Sequence, residues 1–343
     1  MEKFDKKGRQ AVITLINAIN DSSNDYDVEP KGGYSMSKKV LMTVGAHADD
    51  VEFSFGATAL KYHEKFEYEI AYVEATNNMS GGWAKVVDGK VKHFDYPWYT
   101  IMPQRKLEAN KSARECYHTE AIHLDFPQRH YKNQALEQIE LRYGVPCPDC
   151  VPPNTPSILT AHEDPASIER VANLILEKNP EVILTHPPMD YTDEHTGTCM
   201  LIRKAFAKAQ DQGYDGSLLF ARAGTYYLKY GNYFNYWDSF IDTTGFMQKK
   251  RHALGIHACQ VPRAENLDLS DYLEGKVCGC ETAEVFIVCE FAKTRTGELT
   301  QEFVKNHKYC VENWKEMFFS KDLQKMYNEE LLSKWEERAR SNA

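Results

Sequence analysis

Histidine and aspartate residues are concentrated at the ends of two short apolar runs of the sequence. The first run ends in residues 45–50, GAHADD, and the second ends in residues 185–195, THPPMDYTDEH. Histidine nitrogens and carboxylate oxygens bind zinc, and a catalytic zinc site has three protein ligands and an open position. His47 and Asp50 offer two ligands, and His195 can supply the third. The pattern predicts a hydrolytic metal site, although a capping aspartate or a buried histidine would account for any one of these residues alone.

The two clusters need a scaffold that brings them together. From residue 39 onward, short apolar runs alternate with helix-patterned segments, which predicts an α/β fold with a mostly parallel sheet. We expect a Rossmann-like three-layer sandwich with an N-terminal helical extension and C-terminal helices. The predicted strands span 40–45, 68–75, 121–126 and 181–185, and the predicted helices span 55–65, 105–117, 165–178 and 194–208. Both clusters then lie at carboxyl ends of strands, where open parallel sheets bind ligands.

The chain is expected to have three parts. Residues 1–36 form an N-terminal helical extension and linker, residues 37–299 form the main domain, and residues 300–343 form a C-terminal helical appendage. Two insertions, near 81–103 and 130–162, interrupt the main domain after strands, where loops commonly shape a site. The aromatic residues of segment 217–240 predict either a core strand with a packed hairpin or an aromatic wall for a ring-shaped ligand.

Composition excludes several classes of function. The 343 residues include 41 Lys and Arg against 50 Asp and Glu, a net charge of −9, which argues against nucleic-acid or acidic-membrane partners. Gly45 is the only glycine between Thr43 and Phe55, where a dinucleotide-binding turn needs GxGxxG. The sequence shows no signal peptide and no membrane-spanning run, so a cytoplasmic location is expected. The nine cysteines are interpreted as reduced thiols.

The two clusters belong to a larger pattern of motifs. Residues 46–50 resemble the AHPDD motif of the LmbE-like superfamily of zinc-dependent deacetylases. This superfamily includes N-acetylglucosaminyl-phosphatidylinositol de-N-acetylase (PIG-L) and the bacillithiol and mycothiol pathway deacetylases. Residues 185–195 are similar to its second metal motif. Three further blocks follow the family's order: RKLE at 105–108, LDFP at 124–127 and KRHALGIHACQ at 250–260.

The resemblance implies one zinc ion held by His47, Asp50 and His195, with Asp49 as general base. The implied reaction removes an acetyl group from an N-acetylated amino sugar, free or in a conjugate. Physical chemistry agrees, because zinc activates water near neutral pH and a carboxylate within hydrogen-bond reach can take its proton. Ferrous iron accepts the same ligands and is the alternative metal.

Other motif residues are expected to face the substrate. Arg105 and Asp125 match family positions that contact it, and a helix-surface ion pair and a strand-end cap are their alternative roles. Asp190 and Thr192 lie in the second metal motif and are also expected to bind substrate.

The sequence departs from the family at Thr192. Many members have a histidine there, three residues before the metal histidine, which is thought to stabilise the developing oxyanion. A threonine hydroxyl donates only a neutral hydrogen bond. His257, in the late KxxALxxH motif, is the first choice for the missing donor, and His186 is the second.

Alternatives to a deacetylase remain open from sequence. One is a sugar-binding or regulatory protein that keeps the metal but lacks turnover, and another is a hydrolase of a different amide or ester. The expected partner is a small-molecule amino sugar, and the chain is compatible with a homo-oligomer. Cys147 and Cys150 could form half of a second zinc site with Cys278 and Cys280, but ordinary loop and core thiols explain them more simply.

Overall fold

The computed structural model of the protein describes residues 39–141, 155–190, 192–222, 237–262 and 269–319. These residues all belong to one unit of the chain, Lys38–Ala343. The predicted N-terminal extension with its helix at 9–19, the Cys147/Cys150 pair and most of the aromatic segment lie outside the described residues.

Within the described residues the chain forms eleven strands and seven α-helices. The strands are β1 (Val40–Gly45), β2 (Glu69–Thr76), β3 (Trp83–Val87), β4 (Lys90–Phe94), β5 (Ile122–Phe126), β6 (His130–Lys132), β7 (Gln138–Glu140), β8 (Val182–Thr185), β9 (Ser217–Ala221), β10 (Ser239–Asp242) and β11 (Ala283–Glu290). The helices are α1 (Asp50–Phe66), α2 (Trp98–Tyr117), α3 (Pro165–Lys178), α4 (Asp193–Gln210), α5 (Met247–Ile256), α6 (Leu269–Cys278) and α7 (Glu298–Phe319).

Seven strands form the central sheet in the order β10-β11-β9-β8-β1-β2-β5. The five strands β9, β8, β1, β2 and β5 are parallel to one another. β11 pairs antiparallel with both β9 and β10. The carboxyl ends of β1 and β8 are therefore adjacent at one edge of the sheet. This neighbouring position is what brings the two sequence clusters together.

Helices cover both faces of the sheet. Along β1 the side chains alternate, so Leu41 packs in one core cluster and Val40, Met42 and Val44 pack in the other. The first core includes residues of α1, α2 and α7, and the second includes residues of α3 and α4. Helix, sheet and helix thus form the three layers predicted from the alternating pattern, and the α/β fold is confirmed.

The predicted insertions contain two small hairpins. In the first, β3 pairs with β4 across the turn Asp88-Gly89, where both residues have positive φ, at 53° and 77°. An Asp-Gly pair suits such a turn because both central residues of a type I′ turn need positive φ. In the second insertion, β6 pairs with β7.

The four predicted strands agree with β1, β2, β5 and β8 to within one residue at each end. The segment expected as a C-terminal appendage, residues 300–343, is described as far as residue 319, and in it Phe303 of α7 is fully buried in the first core. Side chains of α7 also bond the sheet, as Asn306 Nδ2 donates to the carbonyl of Phe240 at 2.7 Å. In the described part of the chain, no helix is both long enough and apolar enough to span a membrane.

Candidate metal centre

Asp50 lies at the centre of the candidate site. It is the first residue of α1, and its Oδ2 lies 3.2 Å from Nδ1 of His47 and 3.3 Å from Nε2 of His195. His47 follows β1, and His195 is in the first turn of α4, after β8. The structure therefore brings together the three residues that the sequence predicted as metal ligands, and their donor atoms all lie within 4.8 Å of one another.

These donors fit a divalent metal. Ligand bonds of about 2.0–2.2 Å in a tetrahedral site place neighbouring donor atoms about 3.3–3.6 Å apart. The measured separations of 3.2 and 3.3 Å are close to that range. The electrostatics also favour a cation. Although burial opposes a charged ring, the Asp50 and Asp190 carboxylates raise the pKa of His195 to about 10. The site is thus arranged to hold positive charge.

Asp190 lies behind the ring of His195, on the side away from Asp50. Its Oδ2 lies 3.3 Å from Nδ1 of His195, and its Oδ1 accepts the backbone N–H of Thr192 at 3.2 Å. A carboxylate on the far nitrogen of a ligating histidine fixes the tautomer and the ring orientation. The sequence predicted Asp190 as a substrate contact, and the geometry adds this orienting contact.

His186 supports both halves of the site. Its ring stacks on that of His195, with centroids 3.9 Å apart and planes inclined by 14°. Its Nε2 accepts the backbone N–H of Ala46 at 2.9 Å. Burial lowers the pKa of His186, and the neighbouring His195 lowers it further. A neutral ring whose Nε2 accepts this hydrogen bond follows. The described residues thus offer two candidate donor sets, His47 with Asp50 and His195, and His186 with Asp190 and His195, and the hydrogen bond to Nε2 of His186 favours the first set.

Asp49 is held in an unusual backbone conformation beside the metal ligands. It precedes α1 with φ of 103° and makes no capping hydrogen bond with its side chain. A positive φ is uncommon for a residue with a side chain and often occurs at functional sites. Burial raises the pKa of Asp49 to about 7, while the nearby Arg105 guanidinium opposes the increase. The carboxyl group can therefore exchange a proton near neutral pH.

Buried polar groups hold the loop that carries Asp49. Arg105 of α2 donates from Nη2 to the carbonyl of Ala48 at 2.9 Å, and the same nitrogen lies 3.6 Å from Oδ1 of Asp49. On the other side, the N–H of Ala48 donates to Oδ1 of Asn78 at 2.8 Å. The Asn78 amide donates in turn to the buried Glu74 at 3.0 Å. Arg105 was predicted to grip the substrate, and here its guanidinium contacts the loop that carries the proposed base.

His257 occupies a buried position at the end of α5. It has no exposed surface, and its Nε2 lies 3.1 Å from Oε2 of the equally buried Glu52. Although burial disfavours the charged ring, the Glu52 carboxylate raises the pKa of His257 to about 9. His257 also lies close enough to Asp49 to lower the pKa of that residue. The role of His257 as an oxyanion donor stays a prediction.

Two predicted substrate contacts lie at the rim. Asp125, at positive φ near the end of β5, has half of its side chain exposed and pairs with Lys106. Thr192 is the residue before α4 and is partly exposed. Their roles remain predictions.

Sequence reasoning missed Glu52, Glu74 and Asn78. Glu52 lies between Val51 and Phe53 in the first part of α1. Glu74 and Asn78 lie at the end of β2, which is next to β1 in the sheet. Open parallel sheets bind ligands at the carboxyl ends of their strands, and this rule identified the residues after β1 and β8. Applied to β2, the same rule would have identified Glu74 and Asn78. The seven described cysteines are free thiols, including Cys278 and Cys280.

Comparison with known proteins agrees with the motifs. Residues 42–206 match the family described as PIG-L, GlcNAc-PI de-N-acetylase. All three proposed metal ligands and Asp49 lie inside the matched segment, whereas the motif that carries His257 lies after it. A search of the curated proteins returned no match.

Two solved structures resemble this chain. GalB, the 4-carboxy-2-hydroxymuconate hydratase from Pseudomonas putida KT2440, is 18% identical with a TM-score of 0.54, over 76% of this chain and 99% of that chain. The N,N′-diacetylchitobiose deacetylase from Pyrococcus horikoshii is 16% identical with a TM-score of 0.50, over 84% of this chain and 94% of that chain. At these identities the likeness shows the fold, and fold alone does not select between hydration and deacetylation.

Proposed function

We propose that the protein is a zinc-dependent hydrolase that removes the acetyl group from an N-acetylated amino sugar or its conjugate. The observation that carries the proposal is the triangle of His47, Asp50 and His195 beside a buried Asp49, all inside the segment that matches the PIG-L family. Three donors leave a coordination position open, as hydrolytic zinc sites require. Ferrous iron would suit the same donors.

A divalent metal at these donors would supply Lewis acidity, which activates water and polarises the carbonyl of an amide. The residues of the chain provide the proton transfers. Asp49 accepts the proton of the attacking water, and burial, which raises the pKa of its carboxyl group, makes it a stronger base. The same carboxyl group can then return a proton to the amine that leaves.

Positioning of the base follows from the contacts of its loop. Arg105 and Asn78 hold the backbone of Ala48 from two sides, and this keeps the Asp49 carboxylate beside Asp50. Asp190 holds the ring of His195 in the orientation that directs Nε2 at the site. In this proposal Asp125 and Thr192 contact sugar hydroxyls or the acetyl carbonyl from the rim.

The test is acetate release from a panel of N-acetylglucosamine conjugates, with metal content measured on the same sample. We expect acetate from at least one conjugate with the zinc-loaded protein and almost none with Asp49→Asn. A protein that retains zinc and binds these sugars but releases no acetate would instead be the metal-containing binding protein that Thr192 suggests. Release of a different acid from other amides or esters would keep the hydrolase and change its substrate.

A further inference from the structure

Helix α1, which carries the metal ligand Asp50, is interrupted. Phe55 has non-helical angles, with φ of −152° and ψ of 20°, and this divides α1 into a short first part and a longer second part. Asp50 and Glu52 lie in the first part. A helix of one turn has little stability of its own, because most helical stability in proteins comes from packing. The first part therefore depends on contacts with the rest of the molecule.

Glu52 anchors the first part of α1. Its Oε1 accepts the hydroxyl of Ser112 at 2.6 Å, and the Tyr72 hydroxyl lies 3.2 Å from both of its oxygens. Its Oε2 lies 3.1 Å from Nε2 of His257. Glu52 and His257 are both fully buried. These partners restrain the position of the carboxylate, since each lost contact would leave a buried polar group partly unpaired.

Glu284 of β11 anchors the second part. Its two oxygens accept the backbone N–H groups of Ala57 at 3.0 Å and Thr58 at 2.8 Å. These N–H groups follow the interruption, so they lack the partners that a continuous helix would supply. Lys250, with 1% of its surface exposed, donates to Glu284 at 2.8 Å and to Asp271 at 3.0 Å. The capping carboxylate is thus itself held by a buried cation.

The two anchors belong to one segment of the chain. Lys250 lies in α5, and His257 is the residue that follows its last turn. Their separation of seven residues corresponds to about two helical turns, which places both side chains on the same face of α5. One face of α5 therefore reaches both parts of α1, through Glu52 and through Glu284.

We propose that this face of α5 positions the metal site, with His257 acting through Glu52 and Lys250 acting through Glu284. His257 is then a positioning residue that fixes the half-helix of Asp50, and it does not contact the acetyl carbonyl. The inference rests on the proposed function for the identity of the site, and it explains why two ionisable residues of α5 are completely buried. A buried charge pair often adds little net stability, because the cost of removing both charges from water offsets their attraction.

The experiment measures zinc affinity by competition with a chromophoric chelator, together with kcat and thermal stability. Substitutions Glu52→Gln, His257→Gln and their combination form a double-mutant cycle. We expect each single variant to weaken zinc binding by about tenfold, the lower end of the loss caused by removing a direct partner of a metal ligand, because Glu52 acts on Asp50 only through the backbone of α1. The double variant should be no weaker than the singles, because both remove the same contact. Lys250→Met should weaken zinc binding as well, and Lys250→Arg should preserve it.

Matched controls come from the same helix. His252 is exposed, and Lys249 has half of its side chain exposed and pairs with Glu64, so His252→Gln and Lys249→Met should leave zinc affinity unchanged. Folded His257→Gln with full zinc affinity and a reduced kcat would overturn the proposal and make His257 a donor to the substrate. Should His257→Gln fail to fold, Ser112→Ala and Tyr72→Phe each remove one hydroxyl from Glu52, and unchanged zinc affinity in both would also overturn it. Zinc binding without acetate release by the wild type would contradict the proposed function and leave this comparison valid.

Discussion

The substitution Asp49→Asn tests two properties of Asp49: its role as the general base and the free-energy cost of burying its charged carboxylate. The amide has the same shape and tolerates a positive φ, but it cannot take a proton from water. Loss of a general base costs about 10²- to 10⁴-fold in rate, which corresponds to about 3–5 kcal/mol of transition-state stabilisation. We therefore expect kcat to fall by this factor while the metal content stays the same.

The same substitution should stabilise the metal-free protein. Burial raises the pKa of Asp49 from 3.8 to about 7, and at about 1.4 kcal/mol per tenfold change in proton affinity this corresponds to about 4 kcal/mol. The folded state holds the proton of Asp49 more tightly than the unfolded state. The loss of folding free energy from burying this group is therefore absent below pH 3.8, where Asp49 is protonated in both states. It grows as the pH rises, and it is complete above pH 7. Asparagine does not ionise and carries no such cost, so the free energy of unfolding of the variant increases relative to that of the wild type as the pH rises.

Urea unfolding of chelator-treated protein at pH 5 and at pH 8 measures this difference. The free energy of unfolding of Asp49→Asn should exceed that of the wild type by more at pH 8 than at pH 5. Asp88→Asn is the matched control, since Asp88 also has positive φ but lies exposed in a hairpin turn. A stability difference that does not change with pH would refute the account of Asp49 as a buried carboxyl group. A wild-type kcat would refute its role as the base.

Other substitutions test the remaining parts of the site. Because His47→Ala and His195→Ala each remove one of three donors, both variants should lose stoichiometric metal in elemental analysis, and full retention in both would show that the metal binds elsewhere. Asp190→Asn should weaken zinc affinity by about 10- to 100-fold in a chelator competition, because it removes the carboxylate behind His195, and an unchanged affinity would leave Asp190 without this role. Thr192→His should raise kcat at constant metal content. A decrease in kcat would instead identify the threonine hydroxyl as the group that donates a hydrogen bond to the developing oxyanion.

The parallel core of the fold could be read from the sequence. β1 and β8 are fully buried apolar runs, and the polar residues that follow each run mark where the strand ends. For α1 the prediction began at residue 55, whereas the helix begins at Asp50. Residues 50–54 mix charged and apolar side chains without a clear helical period, and the interruption at Phe55 hides the continuity. The antiparallel strand β11, which pairs with β9, was not predicted.

The metal donors were predictable and the contacts behind them were not. His47, Asp50 and His195 follow strands whose carboxyl ends the alternating pattern placed at the same edge of the sheet. The contact between Glu52 and His257 depends on how α5 packs against α1, and no local pattern reports the packing of helices that are distant in sequence. For the same reason Arg105 and Asp190 could be recognised as motif residues, while their contacts with the Ala48 carbonyl and with His195 became visible only in the structure.

Zinc titration of the chelator-treated protein tests the central claim most directly. With an N-acetylglucosamine conjugate that the loaded protein cleaves, acetate release should rise in proportion to added zinc and level off at one equivalent per chain. His195→Ala, titrated in parallel, should show no such rise. Acetate release that is independent of zinc, or that rises equally in His195→Ala, would contradict the assignment of His47, Asp50 and His195 as the metal site of a hydrolase.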